Sequence, residues 1–324
     1  MTPARIASLL GKAKFPLAAP SWPGTLPRPA PERHVGLAYD HAWSRRYPVR
    51  LARAVLLDNV TVPVARIVAP TTVRGREHLT NLPQPVIFAA NHASHVDTPL
   101  ILTTLPVELR HRCVVAAASD YFFDRTWKAA LWSFALAAVP IERSRVNRRS
   151  ADTAAELLED GWNLVIFPEG GRSPDGWAQP FRGGAAYLAR RTGRPVVPLH
   201  LEGTRHVLPK NAGDGSRKGG SGSEGRQGGR LRRSPVTVTF GAPLLPRDGE
   251  DARRFGTRIE AAVAVLADEV RTDWWTARRR AAEGSTPSHR GPDVAPWRRA
   301  WALEPRPGTR RADRDADRDA WPPR

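Results

Sequence analysis

From about residue 71 the chain alternates short apolar runs with stretches of helical length, and no other feature constrains its fold as strongly. The runs at 86–90, 113–118, 139–141, 164–167 and 196–199 have strand length. Between them, residues 98–104, 125–138, 150–159 and 183–191 have the length and composition of helices. Strand and helix taken in turn predict an α/β domain, with a single, largely parallel, mixed-edge sheet flanked by helices. Residues 236–240 alternate in polarity and read as a half-buried edge strand. A helix over about 251–273 follows, with Phe255, Ile259, Val263, Leu266 and Val270 on one face.

The expected α/β domain covers residues 71–273, and the segments around it differ in composition. Residues 1–35 are proline-rich and read as an extended, disordered leader. Residues 36–70 form an N-terminal helical region with Pro48 and Pro63 as punctuation. There Leu51, Val55, Leu56, Val60, Val64 and Ile67 recur mostly at helical spacing, with Arg45, Arg46, Arg50, Arg53 and Arg66 between them. Such a helix either packs on the domain or lies on a membrane surface with its arginines at headgroup level. Residues 211–234 are a flexible Gly/Ser/Arg loop, too poor in apolar side chains to order themselves. Residues 274–304 carry Trp274, Trp275, Trp297, Trp301 and Leu303 and are expected to dock on the domain or on a membrane, whereas 305–324 read as a disordered tail.

Fifty Lys and Arg against 32 Asp and Glu give a net charge of +18, which calls for a polyanionic partner. Nucleic acid is disfavoured because the longest arginine-rich stretch, 217–233, holds no aromatic side chain to stack on a base. An anionic membrane surface fits better, each cation near it contributing on the order of 1 kcal/mol. No apolar run reaches the length needed to span a bilayer and no secretory signal is visible at the N-terminus. The expected location is therefore cytoplasmic, peripheral on the inner face of the cell membrane. The lone Cys113 sits in an apolar run and is assigned no chemistry.

Two motifs follow predicted strands. In the first, Asn91-His92-Ala93-Ser94-His95-Val96-Asp97, a straight helix would hold His92 and Asp97 out of contact, so the chain must turn between them. Ser94 and Asp97 have the spacing of a capping box, which leaves His92 outside the helix start and able to fold back on the carboxylate. Imidazole exchanges protons near neutral pH, and a carboxylate on one ring nitrogen leaves the other to take a proton from an alcohol. His95 is a minor competitor, expected to face away from the strand end. In the second motif, Phe167-Pro168-Glu169-Gly170-Gly171-Arg172-Ser173, the two glycines allow a ligand close to the backbone, with N–H groups facing an anion. Arg172 can fork onto phosphate oxygens, and Glu169 can bond a hydroxyl or fix the arginine. Both motifs fall at one sheet edge, where α/β folds bind ligands.

These residues resemble the blocks of the glycerolipid acyltransferase family, the 1-acylglycerol-3-phosphate acyltransferases and their relatives. The Asn-His-x4-Asp block is residues 91–97, the hydrophobic-x-Arg block is Ile141-Glu142-Arg143, the Phe-Pro-Glu-Gly-Thr-Arg-Ser block is 167–173 and the proline-containing strand is 196–199. The resemblance implies that His92 is the general base and Asp97 its orienting partner. It implies that Arg143, Glu169, Gly170, Gly171 and Arg172 bind the acceptor phosphate, with Asn91, Ser94 and Pro198 supporting. Gly171 departs from the family's usual threonine and leaves the acceptor open. The implied reaction moves a fatty acyl group from acyl-CoA or acyl carrier protein to 1-acylglycerol-3-phosphate, forming phosphatidic acid, with no further cofactor and no metal. Another lysophospholipid, a glycolipid or an aminolipid is the alternative acceptor.

Overall fold

The computed structural model describes residues 35–142, 148–208, 231–294 and Arg299. Seven strands, β1 (Thr71–Arg74), β2 (Ile87–Ala90), β3 (Cys113–Ala118), β4 (Ala138–Ile141), β5 (Asn163–Ile166), β6 (Val196–Glu202) and β7 (Val236–Phe240), form one sheet. Their spatial order is β1-β7-β6-β2-β5-β3-β4. Every neighbouring pair is parallel except β6 with β7, so β1 and β7 run against the other five. The largely parallel, mixed-edge sheet expected from the alternation is thus the observed one. One detail differs: β7 is not an edge, because β1 pairs along its outer side. The short, polar-rich run at 71–74 gave little sign of a strand. Its turn depends on Gly75, whose φ is +71° and whose position would put a Cβ 2.0 Å from the Phe240 carbonyl oxygen.

Among the described residues, eight helices of seven residues or more flank the sheet: α1 (Tyr47–Leu56), α2 (Val62–Val68), α3 (Asp97–Thr104), α4 (Thr126–Leu136), α5 (Arg148–Glu159), α6 (Gly184–Thr192), α7 (Ala252–Arg271) and α8 (Trp274–Ala282). Single helical turns link several of them. The central strands are apolar at successive positions because both faces are covered. On one face Phe88, Val165 and Val197 pack with Leu100 and Ile101 of α3. On the other, Ile87, Leu164 and Val196 pack with Leu158 of α5, Leu188 of α6 and Phe255 and Ile259 of α7. Asp251 starts α7 by accepting the Arg254 N–H at 2.7 Å, a cap that satisfies one of the helix's orphan donors.

The N-terminal region is nearly one continuous helix. Pro48 falls in the first turn of α1 and Pro63 in the first turn of α2, where a missing N–H costs least, and a π turn at Leu57–Thr61 joins the two. The helix holds to the domain through Leu57, Ala65 and Val68. Most of the stripe read as its apolar face points the other way: Leu51, Val55, Val60, Val64 and Ile67 are 50–67% exposed, while Leu56 is half-buried. Arg53, expected among the surface arginines, is instead buried and donates to the carbonyls of Ser44, Ser133 and Phe134. Burial, and then neighbouring Arg50, lower its pKa to about 10. Trp274 and Trp275 are not packed on the domain, one of the two alternatives expected for them; they are 51% and 77% exposed, and Arg278 lies over the Trp274 ring. Trp297, Trp301 and Leu303 lie outside the described residues, as do the leader through residue 34, residues 209–230 and the 305–324 tail.

Candidate active site

Strands β2 and β5 are neighbours, and the chain leaves their C-terminal ends toward opposite faces of the sheet. After β2 it enters α3, packed in one core; after β5 it reaches α6, packed in the other. This is the crevice at which open α/β sheets receive ligands. Both sequence motifs sit there, as their positions after strands predicted.

At the end of β2 the chain turns as the histidine-carboxylate reading required. His92 Nδ1 lies 2.8 Å from Asp97 Oδ2, and the N–H groups of Ala93 and Ser94 donate to the same oxygen at 2.7 and 2.8 Å. A carboxylate partner places the ring hydrogen on Nδ1 and leaves Nε2 as the acceptor. Asp97 is fully buried, His92 partly exposed. The capping box is only half formed. Asp97 bonds back to the Ser94 N–H as expected, but the Ser94 hydroxyl donates to the Leu208 carbonyl at 2.7 Å, and the Asp97 N–H goes to the Ser94 carbonyl. Asn91 ties the turn to β6: its side-chain amide donates to the Leu201 carbonyl and accepts the Leu201 N–H, at 3.0 and 2.8 Å. Pro198 lies in β6 just beyond the end of β7, where no partner strand needs the N–H that proline lacks, and its carbonyl accepts from Gly241.

The second motif meets the first directly. Phe167 stacks on the His92 ring with centroids 4.1 Å apart, and the Ser173 N–H donates to the His92 carbonyl at 2.8 Å. Glu169 departs from its expected part in acceptor binding. Its Oε1 accepts the His92 N–H and its Oε2 the Gln179 N–H, each at 2.8 Å, and only 4% of the residue is exposed. Each oxygen braces a stretch of backbone. Burial raises its pKa to about 7, against the lowering effect of the two N–H donors. Gly170 has φ +73°, but its N–H closes the turn onto the Phe167 carbonyl and so is not offered to an anion.

A cleft of about 620 Å³ opens beside these groups. His92, Gly170, Gly171 and Arg172 line its polar end. Val115, Trp132, Leu136, Ala138, Ala154 and Ile166 line an apolar reach beneath α4 and α5. His95 lines the cleft too, contrary to expectation, with its ring stacked on Tyr121 and its Nε2 3.3 Å from the Tyr121 hydroxyl. Arg143 lies outside the described residues. Arg182, which the motifs do not flag, also faces the cleft, with its backbone N–H bonded to the Pro168 carbonyl. Among the described residues, the buried thiol of Cys113, its pKa pushed up to about 12 by burial, stays apart from this site.

Comparison with known proteins agrees with this geometry. The acyltransferase family matches residues 70–202, a span that contains both motifs. The chain is 30% identical over 141 residues to a chloroplastic 1-acyl-sn-glycerol-3-phosphate acyltransferase of Brassica napus, covering 43% of this chain and 39% of that one. It is 28% identical over 211 residues to a 1-acyl-sn-glycerol-3-phosphate acyltransferase of Cocos nucifera, covering 62% and 58%. The chain thus spans roughly half the length of these relatives. The crystal structure of the 1-acyl-sn-glycerophosphate acyltransferase PlsC from Thermotoga maritima has a similar fold, with a TM-score of 0.50 and 22% identity over 74% of this chain and 87% of that one. Residues 70–202 match the acyltransferase family, and the relatives to which the chain is similar are 1-acyl-sn-glycerol-3-phosphate acyltransferases.

Proposed function

We propose that this protein transfers a fatty acyl group from a thioester, acyl-CoA or acyl carrier protein, to the free hydroxyl of 1-acylglycerol-3-phosphate, giving phosphatidic acid. The observation that carries the reading is the His92–Asp97 pair, oriented at 2.8 Å and opening onto a cleft that is polar at the histidine and apolar beyond it. His92 Nε2 takes the hydroxyl proton as the substrate oxygen attacks the thioester carbonyl. The carbon–sulfur bond then breaks, and the imidazolium returns the proton to the leaving thiolate. Asp97 holds the ring tautomer and stabilises the imidazolium, as the acid does in a Ser-His-Asp triad, while the acceptor's own hydroxyl replaces the serine. The apolar reach suits the acyl chain, and Arg172 suits the phosphate.

The lysolipid acceptor carries a long chain held in a bilayer, so the site must meet a membrane. Among the described residues no helix is long and apolar enough to cross one. Peripheral attachment on the cytoplasmic face, through the exposed stripe of α1 and α2 and the basic surface, supports the reaction without a span. A different lysophospholipid, glycolipid or aminolipid is the second reading of the acceptor, favoured by Gly171 in place of the family's threonine.

The test is thiol release by the purified protein given acyl-CoA or acyl carrier protein and a panel of lysolipids. Loss of a general base typically costs about 10²–10⁴-fold in turnover, the range expected for His92→Ala, with a smaller loss for Asp97→Asn. Near wild-type turnover in His92→Ala would rule the mechanism out.

A further inference from the structure

We propose that Arg182 is a second ligand for the acceptor's phosphate, working with Arg172 across the Gly170 turn. This deepens the acyl-transfer reading above by assigning a phosphate contact that neither sequence motif contains.

Residues 173–181 leave the site after Arg172 and return to it at Arg182, where the backbone N–H meets the Pro168 carbonyl at 2.8 Å. The loop is fastened at several points. The Gln179 N–H reaches Glu169 Oε2, the Ala178 N–H reaches the His289 carbonyl, and Asp175 pairs with Arg299 at 2.7 Å. The Arg182 backbone is thus held beside the motif, ten residues downstream of the arginine that the motif names.

Its side chain lies directly on Gly170. A Cβ at residue 170 would fall 2.8 Å from Arg182 Nε and 2.9 Å from Cζ, closer than real side chains approach. Glycine at this position therefore does two things: it adopts a φ of +73°, and it leaves room for the Arg182 side chain against the turn. Arg172, Arg182, Gly171 and His92 then line the same end of the cleft. Two planar, permanently charged forks at the mouth of a site that holds a general base match a phosphomonoester dianion on a neighbouring carbon of the acceptor.

The proposal is tested by binding and by kinetics. Binding of sn-glycerol 3-phosphate, and of a lysophosphatidic acid lacking the accepting hydroxyl, is measured by calorimetry on the full chain and on Arg182→Ala, Arg182→Gln and Arg182→Lys. Removing one charge-assisted contact is expected to weaken phosphate binding about 10- to 100-fold, with Arg182→Lys between that and wild type. Binding of the matching phosphate-free acylglycerol should be unchanged. In turnover, KM for lysophosphatidic acid rises while kcat holds within about threefold, as for an interaction made equally in ground and transition states. Unchanged phosphate affinity in a folded Arg182→Gln or Arg182→Ala protein overturns the assignment, and so does equal weakening of the phosphate-free lipid. Because the binding arm needs no acyl transfer, a wild-type protein that binds glycerol phosphate through Arg182 but releases no thiol would sink the reaction and keep the site.

Discussion

Glu169 holds two loops with two oxygens, and a proton on either oxygen would release one of them. Its folded pKa of about 7 lies above the ordinary glutamate value of 4.5, chiefly because it is buried. The sign follows from linkage: below pH 4.5 the group is protonated folded or unfolded, and between 4.5 and 7 only the folded protein keeps the proton. Its contribution to stability is therefore complete below pH 4.5 and is lost as pH rises through 7. Glu169→Gln removes that titration, so its melting temperature should lack this fall between pH 4.5 and 7, as read by calorimetry across the range. A wild-type slope retained in the variant would assign the effect to another group. Turnover should also drop, because an amide can accept only one of the two N–H bonds and either the His92 or the Gln179 backbone is let go.

The elements were legible in unequal measure, and the cause is where their partners lie. His92 and Asp97 were readable as a pair because every bond that joins them falls within residues 92–97. The part played by Glu169 was not, since Gln179 reaches it only through a loop fixed by His289 and Arg299, more than a hundred residues away. Nothing local separates Arg182 from any surface arginine. The helical region at 43–68 had its periodicity read correctly and its orientation left open, because amphipathic spacing does not say which face meets the protein. Arg53 decides it: a guanidinium donating to three carbonyls fixes α1 against the end of α4. Arg53→Ala should cost roughly 1.5–3 kcal/mol in urea unfolding, the value of a hydrogen-bonded buried charge. A loss under about 0.5 kcal/mol would make that anchor incidental.

For the whole molecule, the outward stripe on α1 and α2 is the surface on which the proposed membrane attachment rests. Replacing Leu51 and Val55 with Asp should cut sedimentation with anionic phospholipid vesicles several-fold, since it removes apolar contact and adds repulsion. Because both side chains are exposed, stability should shift by no more than about 0.5 kcal/mol each. Unchanged vesicle binding would move the contact surface elsewhere, with the Trp274 and Trp275 pair the first place to look. The sheet carries a consequence of another kind, for the time at which this protein can fold. Strand β1 has one neighbour, β7, and Thr71 pairs with Val236. At ribosomal speeds β1 waits on the order of ten seconds for its partner to be made, its backbone donors and acceptors unpaired meanwhile. The first of the described strands is thus among the last to be joined, and a nascent chain paused between residues 74 and 236 presents an open sheet edge to whatever chaperone or neighbour stands at the ribosome exit.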